Sequence, residues 1–206
     1  MKKKKVRTDK NTRATALELL RGPDFLFLVK QLVGVAGVAG EHQNRLILYL
    51  ACLTGSLKRA VSVLVKGPSS TGKSNLAKTV LSLLPPEKLL TRSSFSGKAL
   101  AYSSEELAGK ILYLVEHKGG KDGEFFRRLL QSEGALHHEV TTGSGRNRAT
   151  QVTSRIGAPV FISTTTDERV YEDDETRFLS VRADESAQLT RAVIRGQFKE
   201  KRKGKK

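Results

Sequence analysis

Gly67-Pro68-Ser69-Ser70-Thr71-Gly72-Lys73-Ser74 fits the pattern G-x-x-x-x-G-K-[ST], and the residues on either side of it decide the fold. Upstream, Ala60-Val61-Ser62-Val63-Leu64-Val65-Lys66 is a short, valine-rich run of the kind that forms a buried strand. Downstream, Leu76, Ala77, Val80, Leu81 and Leu84 recur at helical spacing until Pro85-Pro86 ends the pattern. Strand, glycine-rich turn and helix in this order make a phosphate cradle. The glycines let backbone N–H groups curl around an anion, and the helix N-terminus directs its partial positive charge to the same point. Lys73 is placed to reach β- and γ-phosphates, and the Ser74 hydroxyl to ligate Mg²⁺. The candidate nucleotide site therefore runs from Gly67 to Asn75, with ATP and Mg²⁺ as its cofactors.

A length of 206 residues suits one domain with a small helical appendage, and 38% hydrophobic residues suffice for a lean core. No apolar run approaches the length of a bilayer span, and no secretory apolar segment follows the basic N-terminus. A soluble, cytoplasmic protein without a membrane partner is the expectation. Cys52 is the single cysteine, which excludes an internal disulfide and a cysteine-based zinc cluster. The adjacent His137-His138 suit neither helical nor hairpin ligand spacing and read as ordinary surface or packing residues.

The formal net charge of +16 is the second strong signal. Much of it lies in Met1-Lys2-Lys3-Lys4-Lys5-Val6-Arg7 and in Lys199-Glu200-Lys201-Arg202-Lys203-Gly204-Lys205-Lys206. Neither end carries enough apolar surface to fold by itself, so residues 1–14 and 196–206 read as disordered basic tails. Such tails either bind a polyanion without sequence preference or simply aid solubility.

Between them, residues 15–58 read as a helical segment. Short helices are expected at 15–20 and 23–33, a tightly packed glycine-rich turn at 33–40, and an amphipathic helix at 41–53 whose apolar face carries Leu46, Tyr49, Leu50 and Leu53. 

These helices would form a lid or collar ahead of a nucleotide-binding core at 59–195. Within the core, 88–94 reads as a second strand, 97–103 as a short helix and 125–130 as another helix.

Lys110-Ile111-Leu112-Tyr113-Leu114-Val115-Glu116 reads as a buried parallel strand that delivers an acid to the top of the sheet. A carboxylate near the γ-phosphate can orient and activate the attacking water, and one beside it helps hold the metal's water shell. Val115 stands where the second acid would be. Glu116 is left as the sole candidate for both tasks, about forty residues beyond the loop.

His138-Glu139-Val140-Thr141-Thr142 and Ala149-Thr150-Gln151-Val152-Thr153 flank a glycine-rich tip and read as a β-hairpin. Arg146 and Arg148 at the tip, with Arg155 at the base, either track a nucleic-acid backbone or decorate a solvated turn. Pro159-Val160-Phe161-Ile162-Ser163-Thr164-Thr165-Thr166 is a further core strand, and Thr166 at its end could hydrogen-bond the γ-phosphate or the lytic water. Arg177 precedes a last apolar strand in Glu175-Thr176-Arg177-Phe178-Leu179-Ser180-Val181.

These pieces in this order resemble the AAA+ ATPases, in the motor-type branch that contains superfamily 3 and minichromosome-maintenance-like helicases. The nearer likeness is to the ATPase module of bacterial and mobile-element DNA primases and of phage or plasmid replication proteins. Besides the loop, it is carried by Leu48-Tyr49-Leu50-Ala51, Val63-Leu64-Val65, Leu114-Val115-Glu116, Leu129-Leu130-Gln131-Ser132-Glu133-Gly134, Thr164-Thr165-Thr166 and Gln188-Leu189-Thr190-Arg191-Ala192. The resemblance implies an α/β P-loop NTPase of three α/β/α layers, with a mainly parallel sheet, an N-terminal helical segment and a β-hairpin insertion. It implies Glu116 as the catalytic acid, Thr166 as a first sensor, Arg177 as an arginine finger for a neighbouring subunit, and Arg191 as a second sensor. It further implies a homo-oligomeric ring, often a hexamer, acting on single-stranded DNA, with any primase or polymerase activity on another polypeptide. Against the finger stands a simpler possibility, in which Arg177 pairs with Asp173 or Asp174 on its own surface.

Overall fold

A computed structural model describes residues 9–35, 40–57, 59–93, 105–115, 127–128, 130–142 and 149–203. Its centre is a five-stranded, all-parallel sheet in the order β2-β3-β6-β1-β7. The strands are β1 (Ser62–Lys66), β2 (Leu89–Arg92), β3 (Ile111–Leu114), β6 (Val160–Thr165) and β7 (Phe178–Arg182). Every residue of β1, β3 and β6 is buried, as continuous apolar runs covered on both faces must be. Alternation then sorts their side chains. Val63, Val65, Ile111, Tyr113, Val160, Ile162 and Val181 share one apolar cluster, while Leu64, Leu112, Leu114, Phe161 and Phe178 share another.

The first cluster is covered by α4 (Lys73–Ser82) through Leu76, Ala77, Val80 and Leu81, and by α3 (His42–Leu53) through Leu48, Ala51 and Cys52. Val33, near the end of α2 (Phe25–Val35), joins the same core. The expected collar is thus corrected in part: α3 and the end of α2 belong to the layer that covers the sheet. The reason is visible in side-chain volume, because Leu48 and Val33 are fully buried against it. α3 is also tied to the far edge of the sheet. Glu41 accepts from the Asp184 amide (2.8 Å) and from Asn44 (2.6 Å), and Asn44 also donates to the Arg182 carbonyl (2.6 Å).

α1 (Lys10–Arg21) begins inside the stretch expected to be disordered. Asp9 caps it by accepting from the Thr12 amide at 2.7 Å and the Thr12 hydroxyl at 2.9 Å. At the other end, a C-terminal helix (Ala187–Lys203) carries through most of the expected basic tail. Disorder therefore does not extend to residues 10–14 or 196–203. The charged residues there are lysine, arginine and glutamate, all good helix formers, and a helix already under way needs no new nucleus to continue through them.

The second sheet is the expected hairpin, longer than its sequence suggested. β4 (Ala135–Thr142) and β5 (Ala149–Ile156) pair antiparallel from Ala135↔Ile156 to Thr142↔Ala149. Helical residues at 127–128 and 130–133 precede it, and Leu130 enters the second core cluster. The short helix expected at 97–103, and residues 36–39 of the glycine-rich turn, lie outside the described residues.

Around Phe178 the second face is held by charge as well as hydrocarbon. The one-turn helix Glu172–Glu175 presents Asp174, which accepts from Arg127 at 2.6 Å and from Arg128 at 2.9 Å. Arg127 also lies over the Phe178 ring, 4.8 Å from its centroid, and Arg128 over Tyr171 at 4.7 Å. Glu175 accepts from Lys66, whose ammonium holds the carboxyl below its usual range. The side chains of Arg127 and Asp174 are each only 2% exposed, so removing one partner strands a charge in a poorly solvated place. Asp174→Ala should therefore lower unfolding stability by about 3–5 kcal/mol. Urea denaturation reads this directly, and a loss below about 1 kcal/mol would place the pair among those that behave as surface bridges.

Candidate nucleotide-binding site

The loop begins where the β1 ladder ends. Gly67 takes φ +154°, donates its amide to the Thr165 carbonyl at 3.3 Å, and turns the chain out of the sheet. Ser70 (φ +66°) and Gly72 (φ +83°) adopt left-handed backbone, Gly72 at the N-cap of α4. Glycine is the residue that does this without strain. It also brings no capping side chain, so the first amides of α4 keep their hydrogen-bonding capacity for another acceptor. A Cβ built on Gly72 meets none of the described residues within 4 Å, which leaves room beside the helix start among them. Amides, open space and a cation together suit a phosphate chain.

Lys73 is buried at the first position of α4. Its ammonium donates to the Gly67 carbonyl at 2.8 Å and to the Pro68 carbonyl at 2.5 Å, and lies 3.5 Å from the Thr71 hydroxyl. Thr71 itself donates to the Pro68 carbonyl at 2.9 Å, closing the loop on its own backbone. Burial pushes the pKa of Lys73 down, while the negative charge of Glu185 opposes that shift. Ser74 follows on the first turn, half-buried, and Pro68, Ser69, Ser70 and Asn75 are exposed. A loop of this shape would hold the nucleotide phosphates with its amides and Lys73, and the metal with the Ser74 hydroxyl. The bound metal would supply charge neutralisation between the phosphates.

Sheet order brings a further strand end beside the loop. β6 lies between β1 and β3, with Thr165 paired to Lys66, so Thr166 emerges exposed next to Gly67. Thr164 donates to the Val115 carbonyl at 2.6 Å and Ser163 to the Leu114 carbonyl at 3.3 Å, which fixes the end of β3 against β6. Val115 is half-buried against the first core cluster. Glu116, the next residue, lies outside the described residues.

Arg177 is not part of this group. It precedes β7, whose first residue Phe178 is level with Ser62, at the opposite end of the sheet from the loop. Its guanidinium donates to the Asp173 carbonyl at 2.7 Å and lies 3.9 Å from the Asp173 carboxylate, so pairing with its own surface is realised. Arg191 is exposed on the C-terminal helix. Arg155 stands in β5 opposite Leu136, near the base of the hairpin, whereas Arg146 and Arg148 lie outside the described residues.

Residues 12–206 match the MTBMA_p00010 P-loop domain family. The chain belongs to that family. It is a P-loop nucleotide-binding domain of the NTP-hydrolase type, with the α/β fold that its loop implied. No curated protein matches the sequence. Among the described residues, no helix is long and apolar enough to cross a membrane.

Two residues near the loop escaped the sequence reading. Lys66 ends β1 as a buried lysine, and its signal was a charge placed inside an apolar run directly before the loop. Tyr113 puts a hydroxyl under α4, and its signal was the one polar atom in Ile111-Leu112-Tyr113-Leu114.

The direction of the Lys73 shift gives a testable sign. Free, Lys73 loses its proton at lower pH than an ordinary lysine; phosphate contact would raise its pKa again. Nucleotide binding should therefore take up protons in the alkaline window between those two values. Calorimetry in two buffers of different ionisation enthalpy measures this, and proton release in that window would contradict the assignment of Lys73.

Proposed function

We propose that this chain is an ATP-hydrolysing motor that acts on DNA in the replication of a phage, plasmid or other mobile element, assembled as a homo-oligomeric ring. The observation that carries the reading is the loop Gly67 to Ser74, with an uncapped helix start, a buried lysine and a hydroxyl converging at the C-terminal end of a central parallel strand. ATP with Mg²⁺ is the ligand that this set of groups fits. In this reading Lys73 neutralises the transferring phosphoryl group, Glu116 orients the water, and Thr166 senses the γ-phosphate from the end of β6.

Assembly is supported by where Arg177 stands. Five strand residues at about 3.3 Å each place it roughly 16 Å from its own loop. An arginine so placed can serve a neighbouring subunit's phosphates, exchanging its hold on Asp173 for a stronger anion. A nucleic-acid partner is supported by the charge of +16 and by a hairpin that stands apart from the main sheet and carries Arg146, Arg148 and Arg155. Hydrolysis at subunit interfaces would shift that hairpin along single-stranded DNA, with primer synthesis left to another polypeptide. Arg191 would act as a second sensor.

One observation favours a slower machine. Val115 sits where a metal-supporting carboxylate would stand, which suits a nucleotide-dependent DNA-binding switch or helicase loader that hydrolyses slowly and unwinds nothing. A forked-duplex displacement assay separates the two.

Three variants test the motor. Lys73→Ala should abolish saturable uptake of a fluorescent ATP analogue. Arg177→Ala should retain uptake and lose about 10³-fold or more in turnover. Mixing Arg177→Ala with Glu116→Gln subunits should restore activity, and specific activity of the wild type should rise with protein concentration and with single-stranded DNA. Turnover indifferent to concentration, DNA and Arg177 together would exclude a shared site.

A further inference from the structure

Tyr113 is 2% exposed, in the middle of the fully buried strand β3, and among the described residues its buried hydroxyl has no hydrogen-bond partner of normal geometry. Most buried polar groups are paired, so an orphan calls for a reason. Phenylalanine would fill the same volume without the cost of an unpartnered hydroxyl. The phenol shares a cluster with Leu76, Ala77 and Val80 of α4, which sets it beneath the helix that begins with Lys73 and Ser74. Ser74 stands three residues before Ala77, on the same face of α4, and is half-buried at the helix start. Burial raises the pKa of Tyr113, and the Ser74 side chain opposes that shift.

The chemistry of a metal-bound hydroxyl explains what the phenol is for. When a serine gives a lone pair to a cation, its hydrogen must point away from the metal and needs an acceptor. A strand-end carboxylate ordinarily serves, and here that place is Val115, two residues along the same strand face from Tyr113. We propose that Tyr113 is the positioning residue for Ser74: its hydroxyl oxygen accepts the Ser74 hydrogen bond and so orients the serine lone pair toward Mg²⁺. The proposal rests on the reading of the loop as a Mg²⁺-nucleotide site. It deepens that reading by naming how the site works without the usual second acid. Tyr113 touches neither phosphate nor metal; it acts through Ser74.

The test is Tyr113→Phe, with nucleotide uptake and metal requirement read separately. Uptake of a fluorescent, non-hydrolysable ATP analogue in EDTA should match the wild type. The Mg²⁺ concentration needed for half-maximal tightening of that analogue should rise about 10- to 100-fold, the usual consequence of losing a partner that orients a metal ligand. In a Ser74→Ala background the same change should have no effect, because the phenol then has nothing to orient. Without ligand, the variant should melt at the wild-type temperature or above it. The unaltered chain gives a second readout. Adding Mg²⁺ to the analogue-loaded protein should produce the ultraviolet difference spectrum of a tyrosine gaining a hydrogen bond, and Ser74→Ala should abolish it.

Wild-type protein that takes up no analogue would overturn the nucleotide reading, and this proposal with it. Wild-type uptake with an unchanged Mg²⁺ requirement in Tyr113→Phe would overturn this proposal alone. So would a lower melting temperature of the ligand-free variant, which would show the hydroxyl already bonded within the fold.

Discussion

The parallel ladder around β1 is the constraint on which everything else depends. β6 and β7 both run beside it in register, from Val63↔Ile162 to Lys66↔Thr165 on one side and from Ser62↔Phe178 to Lys66↔Arg182 on the other. Because all three strands point the same way, their C-terminal ends converge on one edge. The chain must leave each of them there, so a loop after β1, a threonine after β6 and the Ala183–Ser186 stretch after β7 become neighbours without any special contact to gather them. Ala183 shows how close this is, since a Cβ added to Gly67 would come within 3.3 Å of it. A ligand crevice at that edge follows from the topology.

Two ways of covering the sheet accompany this geometry. On the face under α3 and α4 the cover is hydrocarbon, with Leu48, Leu76 and Val80 against Val63, Val65 and Ile162. On the other face, near β1 and β7, aliphatic cover gives way to Arg127 on Phe178 and to Lys66 held by Glu175. The difference has a local cause: Lys66 falls on the same side of β1 as Leu64 and needs an anion once it is buried there.

Much of this was legible in the sequence, and the reasons differ by element. The loop was readable because each of its residues answers a separate requirement of anion binding. β1, β3 and β6 were readable because a strand buried on both faces must be apolar throughout. The helices α2 and α3 declared themselves by period, but the face expected of α3 was the wrong one: Leu50 and Leu53 stand exposed, while Leu48, Ala51 and Cys52 turn to the sheet. Strand order was not legible, because nothing local in Pro159 to Thr166 says that this strand inserts between β1 and β3. The basic ends misled for a related reason: charge argues against a core, but a capped or continuing helix does not require one. Tyr113 was hidden inside its own strand, where an aromatic among aliphatics reads as filler until the atom above its hydroxyl is known. Arg177 kept both of its readings, a contact with Asp173 and a position remote from its own loop.

The one-turn helix Glu172–Glu175 has a mechanical consequence. Three successive carboxylates there hold cations on different parts of the fold: Asp173 meets Arg177, Asp174 meets Arg127 and Arg128, and Glu175 meets Lys66. Asp174, enclosed between Arg127 and Arg128, is the anchor of the turn, whereas the exposed Asp173 and Glu175 make contacts that water and salt weaken, so added salt should slacken its two ends before its middle.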